Sequence, residues 1–171
     1  MTATGTETQV VEVIVIGLAG AGKTTFIQTI SHNTQWSGED LSGWLMGQLA
    51  VDDSLIVHFL EPPARKQFDF LWIRDLIADV DTSGFIVLMD SARENQFGEA
   101  VSILQTIRAY HPETPVVVAA TKPDSADAWS AEDIRVALGI PEDIPVLACK
   151  TTNVEMVKET VLQLLYRIFG V

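Results

Sequence analysis

Short runs of β-branched and aliphatic residues alternate along the chain with stretches in which apolar residues recur every three or four positions. That alternation predicts strands interleaved with helices, as in a mostly parallel sheet covered on its faces. Val10 to Ile16 predicts a first strand, Lys23 to Ser31 the helix after it, and Ser54 to Leu60 another strand beyond a polar stretch from Asn33 to Gly43. Phe68 to Ala78 predicts a second helix. Phe85 to Met89 and Pro115 to Ala120 are continuously apolar, as strands buried on both faces must be, and a helix from Asn95 to Tyr110 separates them. Ser130 is placed to cap a short helix ending at Leu138, with Gly139 to stop it in a left-handed conformation. Ile144 to Leu147 is a last short strand. Asn153 caps a final helix whose Val157, Val161, Leu164, Leu165 and Ile168 form one apolar face. The expected fold is α/β in three layers, a mostly parallel central sheet with helices on both faces.

The 171 residues are the size of one domain, expected to run from 1 to 171, and 47% of them are hydrophobic, enough to fill a core. No apolar run approaches the ~20 residues that cross a bilayer. The N-terminal MTATGTETQ lacks the basic end and apolar stretch of a signal peptide, has no glycine at position 2 for myristate, and RIFGV at the other end has no prenylation cysteine. No direct membrane anchor is expected. A lone cysteine, Cys149, cannot form an internal disulfide and suits a reducing cytoplasm, the expected location. A formal net charge of −12 opposes nonspecific binding to nucleic acid or anionic lipid, so any phosphate must be held locally.

A means of holding phosphate stands directly after the first strand. Gly17-Leu18-Ala19-Gly20-Ala21-Gly22-Lys23-Thr24 matches G-x-x-x-x-G-K-[ST] in full and sits between a predicted strand and a predicted helix, as a phosphate loop must. Gly17 and Gly22 let the backbone wrap closely with unusual dihedrals, Gly20 lies between them as a further binding candidate, and the N–H groups of Ala21 to Thr25 point at the anion. Lys23 neutralises β and γ oxygens and is also the first candidate catalytic group. Thr24 offers a hydroxyl to Mg²⁺. The motif alone leaves the base open between adenine and guanine.

Thr121-Lys122-Pro123-Asp124 follows the strand ending at Ala120 and resembles the N/T-K-x-D guanine motif of Ras-like GTPases, in its threonine form. A carboxylate at Asp124 can accept from N1–H and the 2-amino group of guanine, a pair of donors adenine lacks there. Lys122 would lie along the ring. Ala148-Cys149-Lys150 is similar to the family's S-A-K loop, where a backbone N–H meets guanine O6. Packing behind the base is as good an account of Cys149 as any chemistry. The resemblance spans nearly the whole chain and implies a GTP/GDP-binding protein with Mg²⁺. Within that class, Val51 to Leu55 and Phe68-Asp69-Phe70-Leu71-Trp72 resemble the bacterial MglA-like GTPases, which implies a signalling switch working with a roadblock-type partner.

The pattern breaks where hydrolysis is organised. At the place of the family's D-x-x-G-Q stand Glu61-Pro62-Pro63-Ala64-Arg65. Glu61 keeps the charge for Mg²⁺, two prolines stiffen the segment, Ala64 loses glycine's freedom, and Arg65 cannot orient water as an amide does. Arg65 is a candidate finger in cis or an ordinary ion-paired arginine. Ser42 best suits the missing switch I ligand to Mg²⁺ by its spacing from Lys23, with Thr34 and Ser37 as alternatives. Trp36, Trp44, Phe68 and Trp72 either close the core or form a partner-binding patch. No histidine pair has metal-ligand spacing. Three functions are therefore weighed: a slow GTP switch, a pseudo-GTPase that binds nucleotide without cycling, and a P-loop kinase, which would need an arginine lid that the scattered Arg93, Arg108 and Arg135 do not suggest.

Overall fold

The computed structural model describes residues 5, 7–36, 43–63 and 69–171. Its strands are β1 (Gln9–Gly17), β2 (Asn33–Trp36), β3 (Leu45–Asp52), β4 (Leu55–Glu61), β5 (Gly84–Asp90), β6 (Val116–Thr121) and β7 (Val146–Cys149). Its helices are α1 (Lys23–Ile30), α2 (Phe70–Asp79), α3 (Phe97–Tyr110), α4 (Ala131–Leu138) and α5 (Val154–Phe169). A single 3₁₀ turn, Glu94–Gln96, leads into α3. All seven strands join one sheet in the order β2-β3-β4-β1-β5-β6-β7. From β4 across to β7 every neighbouring pair is parallel, while β3 is antiparallel to both β2 and β4.

Alternation along the central strands sends side chains to two separate cores. Val11, Val13 and Val15 of β1 join Ile86 and Leu88 of β5 and Val117 and Ala119 of β6 under α1 and α5. The intervening Ile14, Ile16, Phe85, Val87, Met89, Val116 and Val118 pack on the opposite face under α2, α3 and α4. Because both faces are covered, these strands read as unbroken apolar runs rather than as alternating ones. The helix boundaries have local causes. Asp69, Ser130 and Asn153 accept from the backbone N–H of Trp72, Asp133 and Met156 at the starts of α2, α4 and α5, and Gly139 and Gly170 close α4 and α5 in the left-handed region.

Two strands depart from the sequence expectation. The stretch from Asn33 holds β2, and Leu45 to Asp52 forms β3, where no strand was expected. β2 is a sheet edge with all four residues exposed, so it has no apolar signal, and β3 buries only Leu45 and Gly47 before running out to exposed Ala50, Val51 and Asp52. Backbone hydrogen bonds set their pairing, β3 onto β4 and β2 onto β3, a long-range effect with no local mark in the sequence. The aromatic residues divide. Trp44 and Trp72 are partly buried against the α2–α3 core, and Trp36 is exposed on β2. Phe68 lies outside the described residues.

Replacing Asn153 with alanine removes the acceptor for the Met156 N–H. It is expected to cost about 1 kcal/mol, or roughly 2–4 °C in Tm, with Asn153→Asp close to the native value in a thermal unfolding scan.

Candidate functional site

Because β4, β1, β5, β6 and β7 are parallel, their C-terminal ends share one edge of the sheet, where open α/β sheets bind ligands. Each of these five ends carries a residue that bears on the site. β1 ends at Gly17, β4 at Glu61, β5 at Asp90, β6 at Thr121 and β7 at Cys149.

The turn from β1 into α1 is the phosphate loop. Its Ala21 N–H donates to the Leu18 carbonyl at 3.2 Å. Gly20 and Gly22 adopt φ of 83° and 101°, which residues with a Cβ rarely tolerate. Gly17 has a different reason to be glycine. It is an ordinary strand residue in backbone angle, and a Cβ there would collide with the Leu88 carbonyl oxygen of β5. Positive-φ glycines allow a loop to turn its N–H groups inward, and α1, unlike α2, α4 and α5, starts without a capping side chain. Those N–H groups, Thr25 among them, and the positive end of the helix dipole fit an anion.

Lys23 folds across the loop, its ammonium donating to the carbonyls of Gly17 at 3.0 Å and Leu18 at 2.9 Å. Burial pushes its pKa below the ordinary lysine value, and the nearby Glu61 charge partly offsets this. The Thr24 hydroxyl donates to Glu61, 2.8 Å from Oε2 and 3.1 Å from Oε1. Glu61 is buried, which raises its pKa against the opposing pulls of the Thr24 hydrogen bond and the Lys23 charge. A hydroxyl and a carboxylate in contact beside a phosphate loop fit Mg²⁺, which takes few protein oxygens and completes its shell with phosphate and water. Among the described residues no three His, Cys, Asp or Glu side chains gather into a cage of their own.

The base-recognition candidates meet at the neighbouring strand ends. Thr121, at the end of β6, is buried and its hydroxyl donates to the Met89 carbonyl at 3.1 Å, so it ties β6 to β5 rather than facing a ligand. Asp124 is exposed, and Lys150, just past β7, reaches it at 3.3 Å and holds its carboxyl below the usual range. Cys149 is fully buried, its thiol pKa raised by burial and lowered less by a Thr160 hydrogen bond, while Ala148 beside it is exposed. Cys149 thus packs behind the site. The Thr151 side chain abuts Gly22, and its carbonyl accepts from the Thr29 hydroxyl, joining this loop to the phosphate loop and α1.

Sequence reasoning missed Asp90. Its carboxylate accepts from the Ala92 N–H at 3.0 Å and lies 2.9 Å from the Lys122 ammonium and 3.4 Å from Arg93. The only signal available was its place directly after a buried apolar run, at the end of a central strand. Of the Mg²⁺ candidates in switch I, Thr34 sits in β2, opposite Gly47 on the exposed edge, and Ser37 and Ser42 lie outside the described residues, as do Ala64 and Arg65. The three arginines that a kinase lid would draw on are engaged elsewhere. Arg93 is on Asp90, Arg108 on Asp143, and Arg135 on the carbonyls of Pro141 and Ile144.

A sequence profile of the ADP-ribosylation factor (Arf) family matches residues 1–167. The chain is 31% identical over 134 residues to ADP-ribosylation factor-like protein 9 of Homo sapiens, covering 77% of this chain and 68% of that protein. It is 28% identical over 130 residues to ADP-ribosylation factor-like protein 10 of Mus musculus, covering 75% and 52%. It is 23% identical over 131 residues to ADP-ribosylation factor-like protein 3 of Saccharomyces cerevisiae, covering 72% and 65%. The chain thus spans between about half and two thirds of the length of these relatives. In three dimensions it is similar to the Arl6 BBS3 small GTPase from Trypanosoma brucei with bound nucleotide analogue GppNp, with a TM-score of 0.75 at 19% identity over 95% of this chain and 99% of that one. That likeness establishes the P-loop α/β fold. The Ras-like resemblance is met at the level of the superfamily, whereas these relatives are Arf-like eukaryotic proteins and not MglA-like bacterial ones.

Lys23→Ala is expected to abolish GDP binding in a calorimetric titration. Asp124→Ala should weaken GDP at least tenfold, about 1.4 kcal/mol, while leaving ADP unchanged.

Proposed function

The chain belongs to the ADP-ribosylation factor family of Ras-like small GTPases, and from that premise we propose that it is a guanine-nucleotide switch whose own hydrolysis of GTP is slow or depends on a partner. The observation that carries this reading is the shared strand edge, where the uncapped start of α1 and Lys23 stand in one row with Lys122 and Asp124. The loop N–H groups of Gly22 to Thr25 and the Lys23 ammonium bind the phosphates, with Ala21 lining the loop. Asp124 accepts from the guanine N1–H and 2-amino group, and the Lys122 stem covers the ring. Thr24 and Glu61 hold Mg²⁺, which when bound neutralises charge on the phosphate oxygens.

Slow hydrolysis is inferred from the residues after Glu61. Pro62 is buried and Pro63 half-buried, so two fixed φ angles follow directly on the metal carboxylate. A glutamine that orients water needs a mobile glycine beside it, and Ala64-Arg65 supplies neither residue. The same prolines favour a second reading, a pseudo-GTPase in which nucleotide is a structural ligand and no cycle occurs. In both readings the chain acts as one domain in the cytoplasm through a protein partner. A roadblock-type regulator is proposed from the MglA-like resemblance of the stretch around Phe70, and exposed Phe70, Leu71 and Trp36 offer it apolar surface.

Single-turnover GTP hydrolysis separates these readings when measured on the native chain, on Arg65→Gln, and on Glu61→Asp with Ala64→Gly and Arg65→Gln together. Little gain from the single change and a clear gain from the triple one are expected. A native chain as fast as the triple variant would sink the damaged-switch reading. Tight GTP binding with no turnover in any of the three is the outcome of the pseudo-GTPase reading.

A further inference from the structure

Among the described residues Lys122 is the one non-glycine residue with a left-handed backbone, at φ 55°. Such a conformation is strained in a residue with a Cβ, and it persists where the surroundings hold it. Here they hold it from both sides. Before it, the Thr121 carbonyl accepts from the Ser91 N–H at 3.0 Å and from the Ser91 hydroxyl. After it, the Ser125 N–H closes a turn onto the Lys122 carbonyl at 3.1 Å. Ser91 is itself fixed, its carbonyl accepting from the Trp129 N–H at 2.9 Å. The main chain at Lys122 is therefore set by the end of β5 as well as by its own turn.

The far end of the side chain is set by the same strand. The Lys122 ammonium lies 2.9 Å from Asp90 Oδ2. The Asp90 side chain is only 2% exposed, against 47% for Lys122, so the carboxylate is a buried fixture and the lysine is the surface group tethered to it. Its other oxygen accepts from the Ala92 N–H, which fixes its plane. A charge so enclosed is screened far less than an ordinary surface pair. The lysine stem is thus held at both ends, and what it presents between them is a short, ordered strip of methylenes.

We propose that Asp90 is a positioning residue for nucleotide affinity, holding the Lys122 stem in the place where it covers the plane of the base. This inference rests on the reading of Lys122 and Asp124 as the base site and adds a residue that the motif does not contain. A free lysine would lose rotamer freedom on packing against a ring, and that cost is avoided when the stem is ordered beforehand. Its methylenes then act as apolar surface while the ammonium stays on Asp90. The carboxylate also meets Arg93 at 3.4 Å and the Ala92 N–H, but the affinity it contributes passes through Lys122 and vanishes when that lysine no longer carries a charge.

The test is a double-mutant cycle read by GDP titration of the full chain. Asp90→Asn, which keeps the size and the acceptor for the Ala92 N–H, is expected to weaken GDP by about threefold to tenfold. In a Lys122→Met background, which keeps an apolar stem but removes the charge, the same substitution is expected to change affinity less than about twofold. A purely structural role would weaken GDP equally in both backgrounds, and that result overturns the inference, as does native affinity in Asp90→Asn. Should Asp90→Asn not fold, Asp90→Glu displaces the carboxylate by one methylene and is read by the same cycle. A native chain that binds no guanine nucleotide overturns the reading of the site itself. A native chain that binds GDP with no coupling between positions 90 and 122 overturns only this inference.

Discussion

The parallel run of β4, β1, β5, β6 and β7 places five strand ends on one edge, and the functional reading depends on that alignment. It needs close strand contact at the centre. Gly17 provides this, because any side chain there would strike the Leu88 carbonyl and force β1 away from β5 where the phosphate loop departs. With those two strands in register, the loop can turn through Gly20 and Gly22 directly into α1, while Asp90 comes to lie beside the lysine that follows β6. The sheet thereby fixes the positions of charges that lie far apart in sequence. Two covered faces and two separate apolar cores keep it rigid enough to do so.

The two halves of the site differ in how they are built. On the base and phosphate side, groups come from strand ends and are cross-linked, Lys122 to Asp90, Asp124 to Lys150, and Thr151 to Thr29. On the hydrolytic side, Glu61 and Thr24 are joined, but the chain then enters two prolines. That contrast is what supports the proposal of slow turnover. Other groups serve only the frame that holds the site. Thr121 ties β6 to β5, and Ser91 ties the turn after β5 to the turn after β6.

Much of this was legible in the sequence where local chemistry determines structure. The apolar runs of β1, β5 and β6 gave their strands, Ser130, Gly139 and Asn153 marked helix ends they do cap, and the phosphate loop followed from its spacing. What was not legible depends on contacts between distant segments. β2 and β3 pair through backbone groups and carry little burial of their own. Asp90 is one carboxylate among 23 acidic residues until β6 brings Lys122 to it. Gly17 belongs to the phosphate-loop pattern in sequence, and its need for a missing Cβ is visible only against β5. The motifs are shared across the Ras-like superfamily, so they led to the class, and the Arf-family kinship came from similarity spread over the length of the chain.

In the proposed function, Asp124 and Lys122 select guanine over other bases. Titration of the native chain with GDP and with ADP, in the same buffer with Mg²⁺, tests it most directly. Binding of GDP at least about tenfold tighter than ADP, a difference of about 1.4 kcal/mol, is the result this account predicts. Equal affinities for the two nucleotides would contradict it.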